Sequence, residues 1–198
     1  MNKYCLDTNI LSNMCKDFWD NPWNKEKQQR LIEKIKSIGI ENIYTTEINI
    51  WELENWMNTE RVKITRRNFE KLKPDIKNLY ENSTEKDILS NLDKYNIPYN
   101  KLDSKGKYMM KVFRTQNRLI KMFKKEGRIL KLNYNAFCKY KEIIKQTKWT
   151  NQPDHSDWLI ASICLENNII LVTSNEKDFR KNQKWDFFEW LIIENWFN

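Results

Sequence analysis

The block Lys3-Tyr4-Cys5-Leu6-Asp7-Thr8-Asn9-Ile10-Leu11 constrains this chain more than any other stretch. Tyr4, Cys5 and Leu6 form a continuous apolar run, the pattern of a strand covered on both faces in a parallel sheet. The run stops at an aspartate. Thr8 and Asn9, both good helix starters, then lead into Ile10, Leu11 and Met14 at helical spacing. A carboxylate thus stands just past the carboxyl end of a central strand, the edge at which open α/β sheets bind ligands. Taken alone, the block favours Asp7 as a cap for the following helix, and the rest of the chain must decide between the two roles.

The rest of the chain repeats the alternation. Strands are expected at 40–44 and 169–172, with a closing extended run at 186–194. Helices are expected at 28–38, where Gly39 stops the pattern, and after Thr45 or Thr46, where Ile48, Ile50, Trp51, Leu53 and Trp56 follow. Further helices are expected at 85–95, at 104–126 before Gly127, at 135–147 and at 158–166. The pattern is weak at 61–83, read as a connecting helix and loop, and a short extended piece is read at 97–102. Strands alternating with helices predict right-handed crossovers and a parallel sheet. The 198 residues suit one domain, 1–198, with a helical and basic middle at about 61–150.

Several function classes drop out. The four cysteines (Cys5, Cys15, Cys138, Cys164) have no C-x-x-C spacing and read as reduced thiols of a cytoplasmic protein, not as zinc ligands. No apolar stretch reaches the roughly 18 residues of a membrane span, and no signal-peptide pattern is seen. Three glycines leave no glycine-rich phosphate loop.

The net charge of +8 is uneven. Residues 101–148 hold fifteen Lys or Arg against three acids, a local excess of +12, so the remainder sums to −4. A basic block beside a mildly acidic remainder suggests a polyanion held near carboxylates. The expected helix at 104–126 sharpens this. Met109, Val112, Phe113, Gln116, Leu119, Ile120 and Phe123 form one stripe, while Lys107, Lys111, Arg114, Arg118, Lys121 and Lys125 fall on the opposite face. A solvated face usually mixes signs; this one does not, and the six cations are the candidate contacts to a polyanion.

Four further acids draw attention. Glu52 lies in the mostly apolar block Glu47-Ile48-Asn49-Ile50-Trp51-Glu52-Leu53, whereas Glu47 and Glu54 read as exposed helix glutamates. Asp154 and Asp157 follow Pro153, and Asp154 suits a helix cap. Asn175 and Asp178 follow the strand ending Leu171-Val172-Thr173. Carboxylates converging on one sheet edge need cations between them to stay ionised, and hard divalent ions take such oxygens.

In order and spacing these blocks resemble the four signatures of PIN domains. They are Asp7-Thr8-Asn9, Glu52-Leu53, Asp157-Trp158-Leu159-Ile160-Ala161-Ser162 and Leu171-Val172-Thr173-Ser174-Asn175-Glu176-Lys177-Asp178-Phe179. The likeness runs to VapC-type toxin ribonucleases, and Leu191-Ile192-Ile193-Glu194-Asn195-Trp196 resembles that family's last strand. The resemblance implies a three-layer α/β/α sandwich with a parallel sheet of about five strands. It also implies a Mg²⁺- or Mn²⁺-dependent endoribonuclease leaving a 5′-phosphate and a 3′-hydroxyl. Asp7, Glu52 and Asp157 match the family's catalytic and metal-binding acids, and Asn175 stands at the fourth place, often acidic, with Asp178 and Asp154 as further ligand candidates. A cognate antitoxin-like partner and a homodimer are implied in the same way, and a membrane is not. His155, the only histidine, matches nothing in the pattern and is a candidate base on chemistry alone. The alternative is a PIN scaffold that binds RNA or a partner without turnover. An aspartyl phosphotransfer domain would need a second acid beside Asp7, and Asp7-Thr8-Asn9 supplies none.

Overall fold

The computed structural model of the chain describes residues 2–15, 22–68, 74–84, 97–146, 155–180 and 191–197. The strands are β1 (Tyr4–Leu6), β2 (Ile43–Thr46), β3 (Ile129–Leu130), β4 (Ile170–Val172) and β5 (Ile193–Glu194). The helices are α1 (Thr8–Cys15), α2 (Pro22–Ile38), α3 (Glu47–Arg67), α4 (Pro74–Glu81), α5 (Ser104–Lys125), α6 (Tyr134–Gln146), α7 (His155–Glu166) and α8 (Glu176–Arg180). The chain divides into two compact units, Met1–Trp51 with Leu119–Asn198, and Glu52–Arg118.

The first unit holds the whole sheet, with every pair parallel and the order β3-β2-β1-β4-β5. Helix endings set its direction. At the end of α5, Gly127 takes φ 64 and the Arg128 N–H reaches back to the Phe123 carbonyl at 3.0 Å. At the end of α7, Asn168 takes φ 52 and the Ile169 N–H returns to Cys164 at 3.0 Å. Both closures are left-handed caps of the kind that glycine and asparagine tolerate. Each releases the chain directly into a strand, so α7 runs antiparallel to β4 and its first turn lies at the sheet's carboxyl edge.

Right-handed crossovers place α1 and α2 on one face and α6, α7 and α8 on the other, a three-layer α/β/α sandwich. Cys5 and Leu171 pack with Ile143, Trp158, Ile160, Ala161, Cys164 and Phe179 from the second group. Leu6 and Val172, which point the other way, are buried as fully as Ile10, Leu11 and Leu31. Cys5 and Cys164 are hydrogen-bonded to each other, and this bond together with burial pushes the Cys5 thiol well above its usual range. Arg128 is buried and gives its guanidinium to the carbonyls of Ile40 and, at 3.3 Å, Ile43, while stacking over Phe123.

Local chemistry moves several expected boundaries. The strand read from residue 40 begins at Ile43, because Gly39 at φ 87 opens a 3₁₀ turn over Ile40–Asn42. The piece read as extended at 97–102 contains a 3₁₀ turn, Tyr99–Lys101. Helix α3 continues to Arg67, past the weakly patterned start of 61–83, and α2 begins at Pro22. The helix expected at 85–95 and most of the run at 186–194 lie outside the described residues. No helix among the described residues is long and apolar enough to cross a membrane.

In the second unit Met57, Val62, Ile64, Met109, Val112 and Phe113 are buried, and Trp56 meets Phe113 edge to face at 5.9 Å. Asp103 caps α5, its Oδ1 accepting the Gly106 N–H at 2.7 Å, while its own N–H donates to Asn68 at the end of α3. The Gly106 bond, then Asn68 and Arg67, hold the Asp103 carboxyl below its ordinary range. A carboxyl lowered in the folded state stabilises it above the unfolded pKa of about 3.9, and that stability is lost as pH falls through the folded value. Asp103→Ala is therefore expected to cost about 1 kcal/mol at pH 7. In urea titrations the gap to wild type should narrow below about pH 4, and a gap independent of pH would contradict the cap.

Candidate active site at the carboxyl edge of the sheet

The strand order turns back beside β1, so its carboxyl end and that of β4 flank the crevice where parallel sheets bind ligands. Register places Leu6 opposite Val172, and the next residues, Asp7 and Thr173, meet across that crevice. Asp7 is 4% exposed. Its Oδ1 accepts the Thr8 N–H at 2.7 Å, and its Oδ2 accepts the Thr173 hydroxyl at 2.8 Å and the Asn9 amide at 2.5 Å. Asp7 is thus both the residue before α1 and a carboxylate fixed from three directions. Asn9 also clasps the neighbouring loop, its Nδ2 donating to Thr173 Oγ1 and its Oδ1 accepting from the Ser174 N–H and hydroxyl.

A second network holds the strand end from the other side. Asn49, fully buried in the first turn of α3, donates to the Leu6 carbonyl at 3.0 Å and accepts the Thr8 hydroxyl at 3.1 Å. Thr46 is the cap of that helix, taking the Asn49 N–H at 3.1 Å. Glu47 is not a simple solvated glutamate, since it takes the Leu132 N–H at 2.7 Å and pairs with Lys131. Asn9, Asn49 and Thr173 are not among the site residues expected from sequence. Their signal was only that polar residues stand where strands end or between two isoleucines.

Asp157 is half-buried in the first turn of α7. It lies on the helix face of Ala161 and Cys164, the face packed against β1 and β4. Cys164 touches Cys5. Asp157 stands two turns, about 10 Å, beyond Cys164, and Asp7 two residues, about 7 Å, beyond Cys5. Both acids therefore lie on the carboxyl side of the same contact.

The other candidates are placed less closely. Glu52 is half-buried on α3, three residues after Asn49, and begins the second unit. Asn175 is exposed in the loop after β4, its N–H bonded to Thr173 Oγ1 at 3.0 Å. Asp178 belongs to α8, and Asp154 lies outside the described residues. Among the described residues no three His, Cys, Asp or Glu side chains are grouped closely enough to hold a metal ion. The donor chemistry nevertheless fits a hard divalent cation, because the acids offer oxygen alone, with no thiol or imidazole among them. His155 has its Nδ1 3.0 Å from the Tyr140 hydroxyl and its ring edge-on to Trp158, which makes it a clasp between α6 and α7.

No protein-family model and no curated protein matches the chain. Among solved structures it is similar to a chain from the structure of FitAB bound to an IR36 DNA fragment, at 16% identity and a TM-score of 0.51. The match covers 98% of this chain and 96% of that one. The likeness bears out the PIN-like three-layer α/β/α fold expected from the sequence.

Proposed function

We propose that the chain is a divalent-metal-dependent endoribonuclease and the toxin of a toxin–antitoxin pair. The observation that carries this is Asp7, a buried carboxylate held by three donors at the crevice of a parallel sheet, with Asp157 on the same edge. The partner is proposed from the resemblance to VapC-type toxins, and a chain of the FitAB structure, solved bound to a DNA fragment, shares the fold. Asp7, Glu52 and Asp157 would hold the cation, with Asn175 contributing an amide at the fourth place.

When bound, Mg²⁺ or Mn²⁺ would supply a water of lowered pKa and offset charge on the phosphoryl oxygens. Everything else falls to the chain. Thr8, Asn9 and Thr173 fix the rotamer of Asp7, so its oxygens need little reorganisation before the reaction. Asp157 occupies the first turn of a helix, where the aligned peptide dipoles favour a negative charge. No side-chain nucleophile is required, in keeping with a chain that has one histidine, already engaged with Tyr140.

A second reading, a scaffold that binds RNA without turnover, is favoured by the absence of a closed carboxylate group among the described residues. Incubating the protein with structured and unstructured RNAs in Mg²⁺, Mn²⁺ or EDTA separates the two. Cleavage with either metal and none in EDTA supports the nuclease. Retained RNA binding with no cleavage in any metal overturns it in favour of the scaffold.

A further inference from the structure

The outward face of α5 carries a charge pattern that its buried face does not require. Met109, Val112, Phe113, Ile120 and Phe123 are buried along one side. On the other, Lys111, Arg114, Arg118, Lys121 and Lys125 are exposed and Lys107 is half-buried. Among the described residues none of these six is ion-paired with an acid. Successive members stand three or four residues apart, roughly one helical turn of 5.4 Å, so the row repels itself until an anion runs along it.

One contact separates this row from an ordinary solvated face. The Arg114 guanidinium lies over the Tyr99 ring, 5.3 Å from its centroid. Tyr99 sits in the 3₁₀ turn that precedes α5 and is 36% exposed. Stacking on an aromatic face orders an arginine without using any of its five N–H donors. The fork stays available for a phosphate, which it grips with two parallel bonds. Tyr108, one turn before Lys111, exposes a second ring on the flank of the row.

We propose that Lys107, Lys111, Arg114 and Arg118, with Tyr99 and Tyr108 beside them, form a track for single-stranded RNA. Cations in a file one side chain wide suit one sugar–phosphate backbone. A duplex is gripped instead across a groove, with contacts to both strands. Exposed rings beside a basic row are the platform on which unpaired bases stack. The choice of RNA rests on the ribonuclease reading; the track itself needs no metal and no turnover.

The test is fluorescence anisotropy with a labelled 20-nucleotide oligouridylate in EDTA, so that nothing is cleaved, across a salt series. The triple variant Lys111→Glu, Arg114→Glu and Arg118→Glu is expected to bind at least tenfold more weakly at low salt. The slope of log K against log salt should flatten by roughly 0.7 per lost contact. Tyr99→Leu frees Arg114 and weakens binding severalfold, whereas Tyr99→Phe keeps the ring and binds as wild type. A 20-base-pair duplex RNA binds more weakly than the single strand. Unchanged affinity and slope in the triple variant overturn the track, and the face is then a docking surface for protein or only solvated. A duplex that binds as tightly as the single strand overturns the single-strand assignment. The acids are judged separately, by cleavage with Mg²⁺ or Mn²⁺: cleavage that survives in Asp157→Asn overturns the active site and leaves the track standing.

Discussion

Asp7→Asn is expected to lose stability and cleavage together, while Asp157→Asn loses mainly cleavage. The difference lies in how each carboxylate is held. Asp7 is 4% exposed and accepts from Thr8, Asn9 and Thr173. An asparagine amide must turn its NH₂ toward one of those donors, which leaves a buried donor facing a donor. Bonds to a charged acceptor contribute about 1.5–3 kcal/mol each, and an orphaned donor costs a further 1–3. Some bonds will re-form, because the Thr173 hydroxyl rotates, so a net loss of about 2–3 kcal/mol is expected. Asp157 is half-buried in a first helical turn, where asparagine is tolerated, and its variant should lose less stability than Asp7→Asn. Cleavage with Mg²⁺ or Mn²⁺ should fall at least about 100-fold in both, some 2.7 kcal/mol of transition-state stabilisation. Urea unfolding followed by circular dichroism, beside cleavage of one RNA, reads both effects. Wild-type turnover in Asp157→Asn removes that residue from the site. Wild-type stability in Asp7→Asn means the three bonds seen at Asp7 contribute little.

The features legible in the sequence were those whose cause is local. An apolar run stopped by Asp7-Thr8-Asn9 announces strand, edge and helix within a few residues, and the structure has that order in β1 and α1. The two faces of α5 were legible for the same reason, since periodicity alone separates Phe113 from Arg114. What escaped depends on contacts distant in sequence. Asn49 reaches back to the Leu6 carbonyl, and Thr173 reaches Asp7 across most of the chain. Nothing near Asn49 or Thr173 in sequence indicates those partners. Strand β3 has two residues, Ile129 and Leu130, too few for any period to register. The division into two units is equally hidden, because its boundaries fall within α3 and α5, where the helical pattern does not change.

Gln116 tests the buried side of α5 by an opposite sign of effect. It is the one polar member of the apolar stripe and is 0% exposed. Neither its Oε1 nor its Nε2 has a hydrogen-bond partner among the described residues. A buried amide left unsatisfied costs about 1–3 kcal/mol, whereas an apolar group of the same shape there costs nothing of the kind. Methionine matches glutamine in length and lack of branching, and its flexible thioether adapts to an irregular pocket. Gln116→Met is therefore expected to stabilise the protein by about 1–2 kcal/mol, raising Tm by about 2–4 °C for each kcal/mol in a chain of this size. Gln116→Glu should do the reverse, because an ionised carboxylate at a fully buried position in an apolar stripe is costly. Oligouridylate binding by Gln116→Met should keep the wild-type salt slope, since the substituted side chain is remote from Lys111, Arg114 and Arg118 around the helix. A Gln116→Met protein less stable than wild type would mean that the amide is hydrogen-bonded in solution. The stripe would then be held by a polar contact, and its packing would be more specific than hydrophobic burial alone requires.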